Sequence, residues 1–333
     1  MKPSSYTFIV LVGLTMQASL MAQSTVNPYF MNGSATQDNC NCYTLTQDVT
    51  AVHGSVWNVN KIDLTQPIDF KFSVYLGSHD AYGADGIAFV LQPISTQIGT
   101  AGGGIGLQGV KPSIAIVLDT WQNLEYNDPA YDHISITANG DLNHITANNL
   151  DGPVQILSGR DNAEDAQWHL LYVKWDPTTK TLSASMDDIP RVSIKKDLVA
   201  EIFNGDPMVF WGFTGSTGGY ANLQRFCTAL NPGFKTMATQ EFCLGKPVQF
   251  LDSSNSFSKI VSWNWNLGDG TTFKQQDPPP HTYATPGNYD IKLVINGNNG
   301  CTSDTALLKI TVKAYPFAKI GYTPQPYCEN DPL

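Results

Sequence analysis

Positive charge and helical periodicity are both scarce in this sequence. Its 333 residues include 19 Lys and Arg against 29 Asp and Glu, which gives a formal net charge of −10. An acidic chain repels phosphate groups, which argues against nucleic acid and anionic membrane surfaces as partners. Apolar residues spaced for one face of a helix are almost absent, so a helical fold is not expected.

A long apolar run is missing as well. The stretch FIVLVGLTM near the N-terminus is too short to cross a bilayer and no later segment qualifies, so no membrane insertion is expected. Lys2 precedes this stretch and a small-residue site near Ala22 follows it, which is typical of a secretory signal peptide over residues 1–22. The mature protein is therefore predicted to be secreted, either extracellular or at the cell surface.

The sequence is rich in short strand-like runs, among them IDFKFSVYL, GIAFVLQ, SIAIVLDTW and WHLLYVKWD. Turn signals such as Asn139-Gly140 and Asp176-Pro177 separate these runs. Many strands without intervening helices predict an all-β fold, a sandwich or jelly roll. The pattern changes near residues 231–234, where a second unit with the strand spacing of an immunoglobulin-like sandwich begins.

One loop between two apolar runs, within IAIVLDTWQNLEYNDPAYDHISI, carries acids, amides and a histidine. Calcium takes about six to eight oxygen ligands in flexible geometry. Asp119 and Asp128 would supply charge, Asn123 a neutral oxygen and Trp121 a backbone carbonyl. The loop alone fits an ordinary polar turn equally well, so other motifs are needed to distinguish a calcium site from a turn.

Three further motifs agree with this loop. LDTWQNLEYNDPAYDH resembles the metal loop of the L-type (legume-like) lectins, and the similarity extends to YGADGIAFVLQ, GTAGGGIGLQG and WGFTGSTGG. The resemblance covers residues 27–230 and implies a concanavalin-like jelly roll that binds a glycan or polysaccharide with calcium. The metal residues it implies are Asp119, Trp121, Asn123, Asp128 and His133. The carbohydrate-binding residues it implies are Asp85, Gly103, Gly104, Asn123, Trp121 and Tyr220.

The same resemblance assigns roles to these residues. Asp85 would accept hydrogen bonds from two sugar hydroxyls, and the Asn123 amide and a backbone N–H of Gly103 or Gly104 would donate to others. Trp121 or Tyr220 would stack on the sugar ring. A cis peptide bond between Ala84 and Asp85 is also implied, with the Asp85 carboxylate within reach of the Asn123 side chain or of a shared ligand.

This sequence departs from the family pattern at one metal ligand. A glutamate that binds the transition metal in the family is replaced by Val117. The resemblance then implies calcium alone, with His133 hydrogen-bonded to a calcium ligand. His53, His79, His144 and His169 show no ligand spacing and are expected to be ordinary surface or strand residues.

The second unit resembles the PKD domain family over residues 234–313. WNWNLGDG and HTYATPGNYDIKLVI carry this similarity, and Trp263 and Trp265 are expected to share one strand face and fill the core. The resemblance implies a spacer or adhesion module without chemistry of its own. Residues 314–333 resemble the opening of a further unit of this kind.

Six cysteines are expected to form disulfides outside the cell. Cys243 and Cys301 both lie in the second unit, and their pairing is predicted. In the first unit Cys227 should pair with Cys40 or Cys42, with Cys42 favoured, while Cys328 has no obvious partner.

The leading hypothesis is a secreted, calcium-dependent, non-catalytic lectin-like protein. One alternative is a glycoside hydrolase of the same fold, which needs two carboxylates across a cleft. In that related family the acids lie in a Glu-x-Asp-x-x-Glu pattern, and here Val117 and Gln122 stand at the glutamate positions. The other alternative is a structural surface protein that has lost sugar binding.

Overall fold

The computed structural model describes residues 28–98, 103–236, 241–256, 259–298, 300–303 and 305–314. The predicted signal peptide, the C-terminal segment from residue 315 and Cys328 lie outside these ranges. The regular secondary structure of the described chain is almost entirely β-strand, which confirms the all-β prediction. Within the described ranges no helix is both long enough and apolar enough to cross a membrane.

The first unit is a sandwich of two antiparallel sheets. The front sheet is ordered β1-β4-β14-β7-β8-β9-β10, with β5 paired to β14. Its strands are β1 (Tyr29–Gly33), β4 (His53–Asn58), β5 (Ile62–Asp63), β7 (Gly86–Gln92), β8 (Ile114–Asp119), β9 (His133–Ala138), β10 (Asn149–Gln155) and β14 (Met208–Ser216).

The back sheet is ordered β13-β12-β11-β6-β15-β3-β2. Its strands are β2 (Thr36–Gln37), β3 (Cys42–Thr46), β6 (Ile68–Tyr75), β11 (Trp168–Asp176), β12 (Thr181–Met186), β13 (Ile189–Lys195) and β15 (Gln224–Thr228). Strand β11 alternates buried and exposed residues, whereas β7 and β8 are buried throughout. This difference arises because β11 has one face in water, while loops cover the outer face of the front sheet.

The main core lies between the two sheets and is rich in aromatic rings. Phe72, Phe213 and Phe226 are fully buried there, and the Phe213 and Phe226 rings stack with centroids 4.2 Å apart. A second apolar cluster covers the outer face of the front sheet, where Val117 packs with Ile105 and Leu142. The loops that carry Ile105 and Leu142 are thereby held close to the end of β8.

The second unit has its own five-stranded sheet, ordered β18-β24-β23-β21-β22. Its strands are β18 (Glu241–Cys243), β21 (Ile260–Asn266), β22 (Thr272–Phe273), β23 (Gly287–Gly297) and β24 (Ala306–Lys313). Two short pairs complete it: β16 (Leu230–Asn231) with β20 (Asn255–Ser256), and β17 (Phe234–Thr236) with β19 (Phe250–Asp252). Trp265 is buried in its core, and Trp263 packs against that core while its Nε1–H donates to Asp252.

The disulfides differ from one of the two predicted pairs. Cys42 bonds to Cys227, the partner that the sequence favoured, but Cys301 bonds to Cys40 and not to Cys243. Cys243 lies exposed on strand β18, whereas Cys301 is buried in the core of the second unit. Cys40 packs against that same core across the boundary between the units, with a Cα–Cα distance of 5.3 Å to Cys301. The Cys243–Cys301 prediction was wrong because it assumed that each unit pairs its own cysteines.

Candidate carbohydrate and metal site

Three neighbouring strands bring the predicted residues together at one end of the front sheet, where these strands begin or end. In the strand register Gly86 lies opposite Asp119, and Asp119 lies opposite His133. Asp85 directly precedes β7, Asp119 ends β8 and His133 begins β9. Because these strands are antiparallel neighbours, residues that are far apart in sequence meet at a single corner of the sandwich.

The loop from Thr120 to Asp132 folds back onto this corner. The Asp119 carboxylate accepts a hydrogen bond from the Trp121 backbone N–H at 3.1 Å, and Asp128 Oδ2 accepts one from the Asn123 N–H at 2.7 Å. A short 3₁₀ turn, Leu124–Tyr126, occupies the tip. Asp128 is thereby returned to the side of Asp119, and both acids are buried.

The donors of this loop fit a cation. Asn123 Oδ1 and Asp128 Oδ1 are buried oxygens without a hydrogen-bond partner, which is costly unless a positive charge compensates. Burial and the neighbouring charge of Asp128 raise the pKa of Asp119 well above its ordinary value. Carboxylate and amide oxygens are ligands that calcium prefers. Asp119, Asn123 and Asp128 would therefore hold it, and the Trp121 carbonyl remains a proposed fourth ligand.

His133 lies beside these acids, but it is not the only histidine there. His133 Nε2 is 3.9 Å from Asp119 Oδ2 and 3.8 Å from Asp128 Oδ1. His144 Nε2 is 2.8 Å from His133 Nε2 and 3.3 Å from Asp128 Oδ1. The expectation that His144 is an ordinary residue was wrong, because Leu142 of its loop packs on Val117 and the His144 ring lies beside Asp128 and His133, with which it forms a group able to hold an ion.

The predicted sugar-binding residues surround the same corner. The Ala84–Asp85 peptide bond is cis, as the resemblance implied. Asp85 is buried, its Oδ2 has no hydrogen-bond partner, and burial raises the pKa of its carboxyl to about 6. A Cβ at Gly103 would lie 3.1 Å from Asn123 Nδ2, and one at Gly218 would lie 3.3 Å from Asp85 Oδ2. Glycines at both positions leave room for a ligand beside these polar groups.

Among the described contacts no hydrogen bond joins Asp85 to Asn123. Each side chain keeps one buried oxygen without a partner, so a shared ligand between them stays a prediction. Gly104 directly follows Gly103 in the turn that ends near Gln108 and is itself buried.

An aromatic wall borders the corner. The Trp121 and Tyr220 ring centroids are 4.7 Å apart, and Tyr82 continues the row at 5.6 Å from Tyr220. Tyr82 and Tyr220 are 65% and 42% exposed, which leaves their faces available to a ligand. Sequence reasoning proposed Trp121 or Tyr220 as the stacking ring but did not name Tyr82, although Tyr82 opens the motif YGADG.

A buried acid pair behind the site was also missed. Burial, with the neighbouring charge of Asp132, raises the pKa of Glu164 to about 9, and burial raises the pKa of Asp132 to about 7. Glu164 Oε1 accepts a hydrogen bond from Asn222 Nδ2 at 2.6 Å, while its Oε2 has no hydrogen-bond partner. Nothing in the sequence near Glu164 signals this burial, because its surroundings come from distant loops.

The fold and the site define the class: a lectin-type jelly roll with a loop of candidate metal ligands at one corner, followed by an immunoglobulin-like sandwich. A family model for the legume lectin β-barrel domain matches residues 21–230, and one for the PKD domain matches residues 230–312. The chain belongs to the legume lectin β-barrel domain family, and a PKD domain follows its lectin domain.

Similar curated proteins come from bacteria and plants. The pesticidal crystal protein Cry22Aa of Bacillus thuringiensis is 26% identical over 321 residues, which cover 86% of this chain and 41% of that protein. A galactose-binding lectin of Arachis hypogaea is 33% identical over 150 residues, which cover 41% of this chain and 49% of that lectin. The matched regions span less than half the length of each relative.

Solved lectin structures are similar as well. A structure of peanut lectin with a 9mer peptide has a TM-score of 0.49 and 24% sequence identity, covering 61% of this chain and 90% of that one. Most of the similar curated proteins are named as lectins or as proteins with a lectin domain.

Proposed function

We propose that this chain is a secreted, calcium-dependent, non-catalytic carbohydrate-binding protein, whose PKD domain is a spacer or adhesion module. The observation that carries the proposal is Asp85. Its buried carboxylate keeps one oxygen without a hydrogen-bond partner, next to a glycine-lined gap and an aromatic wall. A pair of sugar hydroxyls would satisfy that oxygen.

The other groups complete a site for one sugar ring. Asn123 and a backbone N–H near Gly103 would donate to ring hydroxyls, while Asp85 accepts. Trp121 and Tyr220 offer apolar faces on which the less polar side of a ring packs. Calcium, when bound, supplies the charge that balances Asp119 and Asp128 and orders the Asn123 side chain.

Glycan-array binding with added calcium, and again with a chelator, tests the proposal. We expect binding in calcium and its loss with the chelator. Asp85→Asn should abolish binding because the amide places an NH₂ donor where the second carboxylate oxygen accepts, and it removes the negative charge. Asp69→Asn, a change of an exposed acid on the back sheet, is the matched control and should bind like the wild type.

The two alternatives predict different outcomes. A structural surface protein would bind no glycan in either buffer. A glycoside hydrolase would release reducing ends from a polysaccharide, and a reducing-sugar assay with the same panel detects them. Binding that persists in Asp85→Asn would place the sugar elsewhere on the molecule and contradict the proposed site.

A further inference from the structure

Three donor atoms converge beside the proposed calcium site, and they belong to Asp128, His133 and His144. The distances among them run from 2.8 to 3.8 Å, and Asp119 Oδ2 lies 3.9 Å from His133 Nε2. Two ligands held about 2.0–2.2 Å from one ion at tetrahedral angles lie about 3.4 Å apart. The observed spacings bracket this value, and the three closest residues, Asp128, His133 and His144, form a group able to hold one ion.

The protonation of His144 follows from Asn149. The Asn149 amide nitrogen donates to the backbone carbonyls of His144 at 3.1 Å and of Gly152 at 3.0 Å, which fixes its oxygen on the opposite side. That oxygen lies 3.5 Å from His144 Nδ1 and can only accept. A proton on Nδ1 of neutral His144 would meet this acceptor, and the Nε2 lone pair would then face His133 and Asp128.

His133 also directs its Nε2 toward Asp128 and His144. Its ring is hydrogen-bonded to the Tyr131 backbone, and its Nε2 lies 3.8 Å from Asp128 Oδ1 and 2.8 Å from His144 Nε2. Metal-binding histidines commonly donate one ring N–H to such a second group and turn the other nitrogen to the ion. Two ring nitrogens and the unpartnered Asp128 Oδ1 thus face a common point at which a cation would satisfy all three.

The loop that carries His144 is anchored, so this arrangement is built into the fold. The His144 N–H donates to the Tyr126 carbonyl at 2.9 Å, which ties the loop to the tip of the metal loop. Asp141 Oδ2 accepts from Thr146 Oγ1 at 2.8 Å and from Asn148 Nδ2 at 2.9 Å, which closes the loop on itself. The His144 side chain is only 8% exposed.

We propose that His144 supplies a metal ligand absent from the family's loop pattern, and that it builds with His133, Asp128 and Asp119 a site for a Zn²⁺-type transition-metal ion. Two imidazoles and carboxylates suit Zn²⁺ and its first-row neighbours, whereas oxygen-only sets suit Mn²⁺ and Ca²⁺. His144 Nε2 thereby replaces the carboxylate that the family has at the position of Val117. A nitrogen ligand in place of an oxygen ligand changes the metal preference. Sugar binding is not required for this inference.

Metal titration of the full mature chain tests it. Protein stripped with a chelator and resupplied with saturating Ca²⁺ is titrated with Co²⁺, whose visible absorption reports nitrogen and oxygen ligands, and then with Zn²⁺ in competition. We expect one Co²⁺ per chain, displaced by Zn²⁺, with Mn²⁺ a weak competitor. Glycan binding is not part of the readout, so failure of the proposed function leaves this test intact.

Two histidine variants localise the ion. Loss of a residue that merely supports a ligand costs about 10–100-fold in metal affinity, so His144→Ala and His133→Ala should each weaken Zn²⁺ binding by about 100-fold or more. His79→Ala is the matched control, because His79 is half-exposed in the same domain and pairs with Asp48, not with any member of this group. It should bind Co²⁺ like the wild type.

A measurement on the wild type guards against misfolded variants. On addition of Zn²⁺ the ¹⁵N resonances of both Nε2 atoms, in His133 and in His144, should shift as for metal-bound imidazole. Unchanged His144 resonances, equal Zn²⁺ affinity of His144→Ala and wild type, or no Co²⁺ binding beside Ca²⁺ would each overturn the proposal. A proton shared between the two rings, insensitive to added metal, would do so as well.

Discussion

The two domains differ in how many buried oxygens they leave without a hydrogen-bond partner among the described residues. In the lectin domain Asp85, Asn123, Asp128 and Glu164 each keep a buried oxygen with no hydrogen-bond partner among the described residues. In the PKD domain Asn296 Oδ1 is the one such oxygen among the described residues, while Asp269 accepts from the Thr271 N–H and contacts His281 Nε2 at 2.6 Å. Unmet hydrogen-bonding capacity often marks a place where a ligand or ion belongs, so its concentration in the lectin domain supports the binding site proposed there.

The largest expected difference between the two domains is in how the free energy of unfolding depends on pH. Burial raises the pKa of Glu164 from 4.5 to about 9, so its ionisation opposes folding. Stability is then fully present below pH 4.5 and is lost as pH rises toward 9, by at most about 1.4 kcal/mol per pH unit. Glu164→Gln keeps an acceptor for Asn222 but cannot ionise. In EDTA we expect the variant to match the wild type near pH 4 and to exceed its melting temperature clearly at pH 8.

The matched variant in the PKD domain should behave in the reverse sense. Although burial opposes it, hydrogen bonding by Thr271 and His281 lowers the pKa of Asp269, so its stabilisation is present at neutral pH and lost on acidification. Asp269→Asn should therefore lower the melting temperature at pH 7 and converge with the wild type in acid. Identical pH profiles for wild type and Glu164→Gln would show that Glu164 is solvated. They would contradict the proposed contrast between the two domains in the pH dependence of stability.

The disulfide between the domains gives the next largest effect. Cys40→Ala with Cys301→Ala removes a crosslink spanning 261 residues, and loss of a native disulfide typically costs about 2–4 kcal/mol. Chemical denaturation without reductant measures this loss. Cys243→Ser, a change at an exposed free thiol, should stay within about 0.5 kcal/mol of the wild type. An equal effect of the two changes would contradict the observed pairing.

Calcium should stabilise the lectin domain selectively. A ligand at a hundredfold excess over its dissociation constant adds about 2.7 kcal/mol to the free energy of unfolding. Asp119→Asn should remove this gain, whereas Asp269→Asn should retain it. In EDTA the order of wild type and Asp119→Asn should reverse, since the wild type then holds Asp119 and Asp128 together without a counter-charge. A melting temperature insensitive to calcium in the wild type would remove calcium from the proposed function.

The sequence predicted the fold because strand patterns are local. The runs that became β6, β7 and β8 and the turns between them are readable without knowledge of the rest. It also predicted Asp85, Asp119, Asn123 and Asp128 as neighbours, since these residues lie within recognisable motifs at the ends of adjacent strands.

Other features could not be read because they depend on contacts between distant segments. His144 reaches Asp128 and His133 because Leu142 of the same loop packs in the Val117 cluster and the His144 N–H bonds to Tyr126, and neither contact follows from spacing. Cys40 and Cys301 meet only because the PKD domain packs against the start of the lectin domain. Glu164 is buried by Asn222, 58 residues further along the chain.

The smallest expected effect concerns the aromatic wall. The PKD domain exposes the aliphatic side chain Leu307, whereas the lectin domain exposes Tyr82 beside Tyr220. An aromatic contact contributes about 0.5–1.5 kcal/mol, so Tyr82→Ala should weaken glycan binding by about 2–10-fold with calcium binding unchanged. Because Tyr82 is the outermost ring of the row, the loss should be greater for an oligosaccharide than for a single sugar. Calorimetry with both ligands measures this difference, and Leu307→Ala is the control on the other domain. If Leu307→Ala weakened oligosaccharide binding as much, the glycan would contact both domains, and the division between a binding domain and a spacer would fail.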